Sequence, residues 1–334
     1  MPPRKSSSST SSLPLAAPWF EAELGERIKS EKLVSSSSWA TAYRYETESG
    51  KSYFVKTSLG RDEKMFQTEA AGLAALARAA SAASSSLVIP KPLHAGPSPG
   101  NKGGSFIVME YLNLGGGGKG LSQEELGVAL AKLHLAPPPS SPSPPRFGFE
   151  VDNFIGGTPQ PNGWSASWVD FFRERRLRHM LRLVGRPGSE VDRMGSKLCD
   201  NLEKLFDDFD LDLDGGGDGG GENENRITPS LIHGDLWSGN IATAITTSSG
   251  EPAWSILDPA PYYGHHEAEF GMSWCAGLGA GFWKGYRSVL PESPGFKKRR
   301  PLYELYHILN HTVLFGSGYL GQAEGLLRTL MKEL

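Results

Sequence analysis

The segment HGDLWSGN at residues 233–240 carries the residue types with the clearest chemistry. It places His233, Asp235 and Asn240 in the pattern H-x-D-x-x-x-x-N, between two apolar runs. Transfer of a phosphoryl group to a hydroxyl requires a carboxylate that orients the hydroxyl and accepts its proton, and a cation held at the phosphates. Asp235 suits the first role, and the amide oxygen of Asn240 suits a hard cation such as Mg²⁺. Asp258, in ILDPA at the end of a β-rich run, is a second candidate ligand for that cation.

Each of these three polar residues, taken alone, is explained as well by the capping of a turn or a helix. Their order and context instead predict a kinase-type active site, whose remaining parts lie upstream. Lys56, at the end of a β-run in YFVKT, can reach the α- and β-phosphates of ATP. Glu69 in the next predicted helix can hold Lys56, although a Lys–Glu pair at this spacing is weak evidence alone. The backbone near Glu110, Tyr111 and Leu112 can hydrogen-bond the adenine edge.

The elements that position these residues divide into a β-rich first part and a helical second part. In the first part, the patterns predict a short amphipathic helix, a hairpin, a second helix and a buried strand. Their ranges are 19–32, 33–58, 62–80 and 105–112. A glycine-rich break at 114–120 then marks the domain boundary.

The second part begins with a helix over 122–135, which Ser122 and Glu125 cap in a capping box. Further helices are predicted over 164–184, 190–209 and 267–334, and strands flank HGDLWSGN and run through WSILDPA. We therefore predict an α+β, two-lobed protein-kinase-like fold with a small antiparallel β-rich N-lobe and a larger α-helical C-lobe. The predicted domains are a disordered Ser/Pro-rich tail (1–18), a nucleotide-binding N-lobe (19–112), and a catalytic, substrate-binding C-lobe (113–334) with a flexible Gly-rich loop (213–225).

Composition excludes several classes of protein. The formal net charge of −3 over 334 residues argues against a nucleic-acid binder, and no apolar run is long enough to predict a membrane span. The two cysteines, Cys199 and Cys275, do not make a disulfide framework. They indicate a reducing compartment, so we expect a cytoplasmic protein, with organelle targeting by the N-terminal tail as the lesser alternative.

Three segments together resemble the fructosamine-3-kinase or ketosamine-3-kinase family, which belongs with the protein-kinase-like and aminoglycoside-phosphotransferase-like folds. They are HGDLWSGN, LDPAPYYGHHEAEFGMS at 257–273, and FGFEVDNFIGGTPQPNGWSASWVDFFRERRL at 147–177. The resemblance covers residues 19–330. It implies that ATP, with Mg²⁺, phosphorylates the 3-hydroxyl of a ribulosamine or fructosamine adduct on a small amine or a protein lysine. The unstable product then releases the amine, which makes the activity a deglycating protein repair.

The nucleotide loop departs from that family. Relatives typically have a glycine-rich loop, often with a cysteine, whereas this chain has four serines, 35–38, followed by Trp39. Ser36 and Ser37 can still offer backbone N–H groups to phosphate, with less φ freedom than glycine. With Trp39 at the cysteine position, we expect a monomer without a disulfide-linked dimer.

The substrate side is the least specified part of the site. Trp237 is expected to stack on a sugar face, and His265 and Glu267 are candidate substrate contacts. Asn153, Gln160 and Asn162 either line a polar pocket or satisfy loop backbone. The basic run 297–300 is expected to be a solvated loop. Two alternatives to a ketosamine kinase stay open: a related phosphotransferase acting on choline or an aminoglycoside, and a non-catalytic pseudokinase.

Overall fold

The chain divides into two compact units. The first takes in the chain up to Gln67 together with Pro92–Tyr111, and the second consists of Thr68–Lys91 and Leu112–Leu334. The computed structural model describes residues 15–58, 64–98, 104–115, 120–137, 144–209, 226–246 and 250–334. Most of the predicted N-terminal tail and the whole of the predicted Gly-rich loop at 213–225 lie outside these described residues.

The first unit is a short helix, α1 (Ala17–Leu24), and a five-stranded antiparallel sheet. The strands, in the sheet order β1-β2-β3-β5-β4, are β1 (Ile28–Ser36), β2 (Thr41–Thr47), β3 (Ser52–Ser58), β5 (Ser105–Glu110) and β4 (Pro92–Pro97). Aromatic and β-branched residues on one face of the sheet pack on α1. This core contains Phe20, Tyr45, Val55, Phe106 and Val108.

Two predictions for the start of the chain are wrong. The helix expected over 19–32 ends at Leu24, because Gly25 has a left-handed φ of 63° and the following residues pair with β2 instead. The tail expected over 1–18 is too long, because Ala16 is fully buried in the core of the first unit and α1 begins at Ala17. Pairing with a neighbouring strand is a tertiary effect that the helical pattern of the segment does not contain.

The second unit is mainly helical. Its helices are α2 (Lys64–Ala82, which begins in the first unit), α3 (Gln123–His134), α4 (Trp168–Phe171), α5 (Arg178–Val184), α6 (Glu190–Asp200), α7 (Ala280–Val289), α8 (Phe296–Phe315) and α9 (Leu320–Leu330). A π-helical turn at Phe172–Leu177 joins α4 to α5, and 3₁₀ turns lie at Leu202–Phe206, Ser238–Asn240, His266–Met272 and Ser317–Tyr319. The capping box predicted at Ser122 and Glu125 is confirmed, with both reciprocal hydrogen bonds present.

Small antiparallel sheets place the predicted catalytic loop. β9 (Ser230–Ile232) pairs with β12 (Tyr262–Gly264), and β10 (Ile241–Ile245) lies between β11 (Pro252–Ile256) and β6 (Asn113–Leu114). A separate hairpin is formed by β7 (Asn153–Ile155) and β8 (Thr158–Gln160). The loop 233–240 therefore joins two sheets, and each partner strand is next to the segment that contains Asp258. No helix among these described segments is long and apolar enough to cross a membrane.

Candidate active site

The catalytic loop and the segment that follows β11 are joined by backbone and side-chain hydrogen bonds. The Leu257 N–H donates to the Asn240 carbonyl at 2.9 Å, and the Ala260 N–H donates to the His233 carbonyl at 2.9 Å. Gly234, with a φ of 79°, lies so close to Ala260 that a Cβ would be 2.2 Å from its carbonyl oxygen. Glycine is therefore required at residue 234, and the two segments are held in direct contact.

His233 fixes this junction as a neutral imidazole. The Asp235 N–H donates to His233 Nδ1 at 3.3 Å, so the ring hydrogen is on Nε2, which donates to the Leu257 carbonyl at 2.8 Å. Burial lowers the pKa of His233, against the opposing charge of Glu269, which keeps the ring uncharged. His233 thereby positions Asp235 relative to the strand end that precedes Asp258.

Asp235, Asn240 and Asp258 come together as the sequence predicts. Asn240 Nδ2 donates to the Asp235 carbonyl at 2.8 Å and to Asp235 Oδ2 at 3.3 Å, and lies 3.5 Å from the Asp258 carbonyl. Because the amide nitrogen of Asn240 is engaged by Asp235, the amide oxygen is the atom it can offer a cation. Asp258 is exposed and has a φ of 54°, a conformation that non-glycine residues adopt rarely and that is concentrated at functional sites.

Asn240 and Asp258, with Asp235 beside them, fit a hard divalent cation. Loss of contact with water, and then repulsion from Asp258, raise the pKa of Asp235 from 3.8 to about 7. Carboxylate and amide oxygens are the donors that Mg²⁺ prefers, and a cation beside them would offset the charge of Asp258 that raises the pKa of Asp235. A base whose pKa lies near neutrality is also suited to accepting a proton from a hydroxyl.

The carboxylate of Glu269 binds the backbone of the predicted catalytic loop, a role that the sequence did not reveal. Its Oε2 accepts from the His233 N–H at 2.6 Å and its Oε1 from the Gly234 N–H at 3.0 Å. It also lies 3.2 Å from Nε2 of His134, whose Nδ1 is 2.7 Å from the Tyr286 hydroxyl. The Glu269 carboxylate is completely buried in this network, and the hydrogen bonds keep its pKa lowered despite the burial. The sequence signal was an acidic residue between the apolar residues Ala268 and Phe270.

A second buried network supports the chain after Asp258. Asn153 Nδ2 donates to the Pro261 carbonyl at 2.8 Å, and Gln160 Nε2 donates to the Ala260 carbonyl at 3.0 Å. Asn162 Nδ2 donates to Asn153 Oδ1 at 2.9 Å. Of the two interpretations left open for these three amides, the structure favours the one in which they satisfy backbone groups.

The guanidinium of Arg176 completes that network. It donates to Asn162 Oδ1 at 2.7 Å and lies 4.0 Å from the ring centroid of Tyr262. Arg176 is fully buried, so its charge is stabilised by carbonyl groups and by aromatic faces. Tyr262 is the first residue of β12 and directly follows Pro261. Arg176 therefore fixes the C-terminal end of the segment that carries Asp258.

Trp237 is the exposed part of the loop, with 40% of its surface accessible. Its ring lies over Gly239, where a Cβ would be 2.3 Å from Trp237 Cη2. The ring can take this position because residue 239 has no side chain. An exposed aromatic face two residues from Asp235 is compatible with the predicted stacking on a sugar.

His265 and Glu267 are not substrate contacts in this structure, and this prediction is corrected. Both are buried: His265 Nδ1 is 2.9 Å from the Tyr303 hydroxyl, and Glu267 receives two hydrogen bonds of 2.8 Å from the Arg299 guanidinium. Burial lowers the pKa of His265 well below its usual value, so it is a neutral interior residue.

The basic run at 297–300 is also not a solvated loop. It lies in α8, and Arg299 is fully buried between Glu267 and Asp208. The Arg299 guanidinium donates to the two carboxylate oxygens of Asp208 at 2.7 and 2.8 Å. The run of like charges in the sequence gave no indication that Arg299 would be buried and paired with the carboxylates of Glu267 and Asp208.

Most of the predicted nucleotide-binding residues belong to the first unit, and two belong to the second. Lys56 is a buried residue of β3, paired with Ala42 of β2 and Ile107 of β5. The β1–β2 turn is closed by Ser37, whose Oγ accepts from the N–H groups of Trp39 and Ala40 at 3.3 and 3.1 Å.

The other predicted nucleotide contacts are half-buried, except Ser36, which is exposed at the end of β1. Glu110 ends β5, and the Tyr111 ring lies 4.6 Å from the Arg44 guanidinium. Leu112 begins the second unit, and Glu69 lies in α2.

An antiparallel sheet that carries a buried lysine, and a helical unit with a D-x-x-x-x-N loop followed by a strand-end aspartate, define a kinase-like phosphotransferase. The solved structures agree with this class. A Thermobifida fusca protein described as a candidate fructosamine-3-kinase has a TM-score of 0.71 at 25% identity, over 95% of this chain and 98% of that one. The aminoglycoside phosphotransferase APH(4)-Ia, in complex with AMP-PNP and hygromycin B, has a TM-score of 0.51 at 16% identity, over 96% and 99% of the chains. The predicted kinase-like fold is confirmed.

Sequence relationships define the family more closely. The model of the fructosamine kinase family matches residues 15–333. The chloroplastic protein-ribulosamine 3-kinase of Arabidopsis thaliana is 43% identical over 295 residues, 88% of this chain and 80% of the relative. The ketosamine-3-kinase of Mus musculus is 33% identical over 312 residues, 86% of this chain and 90% of the relative. The chain therefore belongs to the fructosamine kinase family, and the predicted family and enzyme class are confirmed.

Proposed function

We propose that this protein is an ATP- and Mg²⁺-dependent ketosamine 3-kinase that phosphorylates the 3-hydroxyl of ribulosamine or fructosamine adducts. The observation that supports this most directly is the geometry of Asp235, Asn240 and Asp258 in a chain of the fructosamine kinase family. The substrates named for the Arabidopsis and mouse relatives are ribulosamines and ketosamines.

In this proposal, Asp235 orients the 3-hydroxyl and accepts its proton as the oxygen attacks the γ-phosphorus of ATP. The bond between that phosphorus and the β-γ bridging oxygen breaks, and ADP leaves. The raised pKa of Asp235, about 7, suits a group that takes up a proton near neutral pH. Catalysis of phosphoryl transfer requires of the protein mainly this positioning and the neutralisation of charge on the phosphates.

Asn240 and Asp258 are the residues that would hold Mg²⁺, which when bound neutralises charge on the transferring phosphates. Lys56 is assigned to the α- and β-phosphates, with Glu69 to orient it. Ser36 and Ser37 are assigned to backbone contacts with phosphate, and the chain from Glu110 through Tyr111 to Leu112 is assigned to the adenine edge. Trp237 is assigned to the sugar face.

The product is a 3-phosphate next to the carbonyl at carbon 2. Enolisation towards carbon 1 breaks the bond between carbon 3 and the phosphate oxygen, so inorganic phosphate leaves and an imine forms at carbon 1. Water then hydrolyses this imine, which releases the amine and a 3-deoxy-dicarbonyl sugar. The repair of glycated lysine on proteins follows from that chemistry, and we propose both free and protein-bound ketosamines as acceptors. We further propose a monomer in a reducing, cytoplasmic setting. The Arabidopsis relative is named as chloroplastic, so an organelle address is the alternative for this chain.

A coupled assay of ADP release tests the proposal. The acceptors are ribulosamine, erythrulosamine and fructosamine derivatives of Nα-acetyl-lysine, with choline and an aminoglycoside as the competing classes. We expect ADP release with at least one ketosamine and a requirement for Mg²⁺. Release with choline or the aminoglycoside alone would assign a different phosphotransferase, and no release with any acceptor would indicate a pseudokinase.

A further inference from the structure

Four aromatic side chains form a cluster on the surface of the second unit. Trp274 and Phe315 are large and exposed, with 45% and 57% of their surfaces accessible. The ring of His311 connects them, with centroids 6.1 Å from Trp274, 5.6 Å from Phe315 and 5.1 Å from Tyr319. We call Trp274, His311, Phe315 and Tyr319 the aromatic cluster.

The aromatic cluster adjoins the catalytic loop. The N–H of Ser238, in that loop, donates to the Cys275 carbonyl at 3.2 Å, and Cys275 directly follows Trp274. The charge of Asp235 also reaches this segment, because it adds to burial in raising the pKa of the Cys275 thiol. The segment that carries Trp274 is therefore held directly against the loop that contains Asp235.

The chemistry of the cluster suits an organic cation on an apolar stem. Aromatic faces attract an ammonium group within about 6 Å and provide apolar contact for the methylene groups beside it. Burial lowers the pKa of His311 from 6.5, so this ring is neutral near pH 7 and does not repel a cation. Glu304, two helical turns before His311 in α8, adds negative charge, which contributes to the raised pKa of the Cys275 thiol.

We propose that the aromatic cluster is the subsite for the amine arm of the acceptor, meaning the protonated secondary amine and the alkyl chain that joins it to a peptide. The inference rests on the proposed function, because the arm belongs to a ketosamine whose sugar is at Asp235. Uncharged sugar derivatives of the same size are disfavoured.

Equilibrium binding of two matched ligands tests this subsite without relying on turnover. The ligands are the ribulosamine of Nα-acetyl-lysine and its ether isostere, in which oxygen replaces the secondary amine. Dissociation constants are measured by isothermal titration calorimetry for wild type, Trp274→Leu and Phe315→Leu. Leu183→Ala, at another exposed apolar residue of the second unit, is the matched control. ADP release is measured in parallel on the wild type.

We expect the wild type to bind the amine about 3- to 30-fold more tightly than the ether, the range for a cation–π contact. Trp274→Leu should reduce this ratio to about 1–3, Phe315→Leu should reduce it partly, and Leu183→Ala should retain it. An unchanged ratio in folded Trp274→Leu overturns the proposal even when the wild type releases ADP, as does a wild type that binds neither ligand. If the ratios follow the expectation but no ADP is released, the proposed function fails and the subsite stands.

Discussion

Replacement of Glu269 by glutamine removes the charge that holds the catalytic loop while it keeps the size of the side chain. The carboxylate accepts from two backbone N–H groups, at 2.6 Å from His233 and 3.0 Å from Gly234, in a fully buried position. A glutamine has one acceptor oxygen, so in either orientation its NH₂ group must face a backbone N–H, that of Gly234 or that of His233. At least one buried donor is therefore left unsatisfied.

The expected losses of stability and of kcat follow from those contacts. An unsatisfied buried N–H costs about 1–3 kcal/mol, and the loss of charge assistance in the remaining bond adds to it, so the free energy of unfolding should fall by about 2–4 kcal/mol. Because the same N–H groups set the position of Asp235, kcat should fall by about 10- to 100-fold, since a displacement near 1 Å can cost that much. The KM for ATP should change by less than about threefold, because Glu269 is assigned no nucleotide contact.

The assay is ADP release with a ribulosamine acceptor, together with urea unfolding, on wild type, Glu269→Gln and Glu267→Gln. Glu267 is the matched control, because it is a buried glutamate in the same 3₁₀ turn whose partner is Arg299 and not the catalytic loop. We expect Glu267→Gln to lose stability while its folded fraction keeps most of its kcat. A folded Glu269→Gln enzyme with a kcat within twofold of the wild type would refute the positioning role.

Three further predictions concern the metal, pH and redox state. Asp258→Ala should abolish Mg²⁺-dependent ADP release, because the cation loses a charged oxygen ligand; activity with an unchanged Mg²⁺ requirement would place the metal elsewhere. Burial lowers the pKa values of His266 and His307 from 6.5 to about 3, so the unfolded chain binds more protons between these values. Their contribution to stability is complete above about pH 6.5 and is lost as the pH falls, and the urea midpoint should decrease between pH 7 and 4; a constant midpoint would contradict this. Burial raises the pKa of Cys199 to about 11 and also raises that of Cys275, so both thiols should resist diamide. A dimer band on a non-reducing gel that dithiothreitol removes, with lost activity, would show the opposite.

Local patterns with their own physical cause were predictable from the sequence. The capping box of α3 needs only Ser122 and Glu125, and it is present. The proximity of Asp235 and Asn240 follows from their fixed spacing in one loop, and that of Asp258 from the strand that precedes it. Their catalytic and metal-binding roles stay predictions. Each of these features depends on neighbours in the chain, which the sequence displays directly.

Features that depend on distant residues were not predictable. Glu269 acts on a loop more than thirty residues earlier, and Arg299 is buried by two acids, Glu267 and Asp208, that precede it by 32 and 91 residues. The segment after Gly25 became a strand because β2 was available to pair with it. In each case the deciding interaction is tertiary, and local propensity or charge gives no indication of it.

The role of Asp235 as the base is tested most directly by the turnover of Asp235→Asn with a ribulosamine acceptor, measured by ADP release on protein shown to be folded. Asparagine keeps the shape of the side chain but cannot take up the proton of the 3-hydroxyl. We expect kcat to fall by about 10²-fold or more, the upper part of what a positioned general base contributes. A folded Asp235→Asn protein that retains near-wild-type turnover would contradict this expectation and exclude Asp235 as the base.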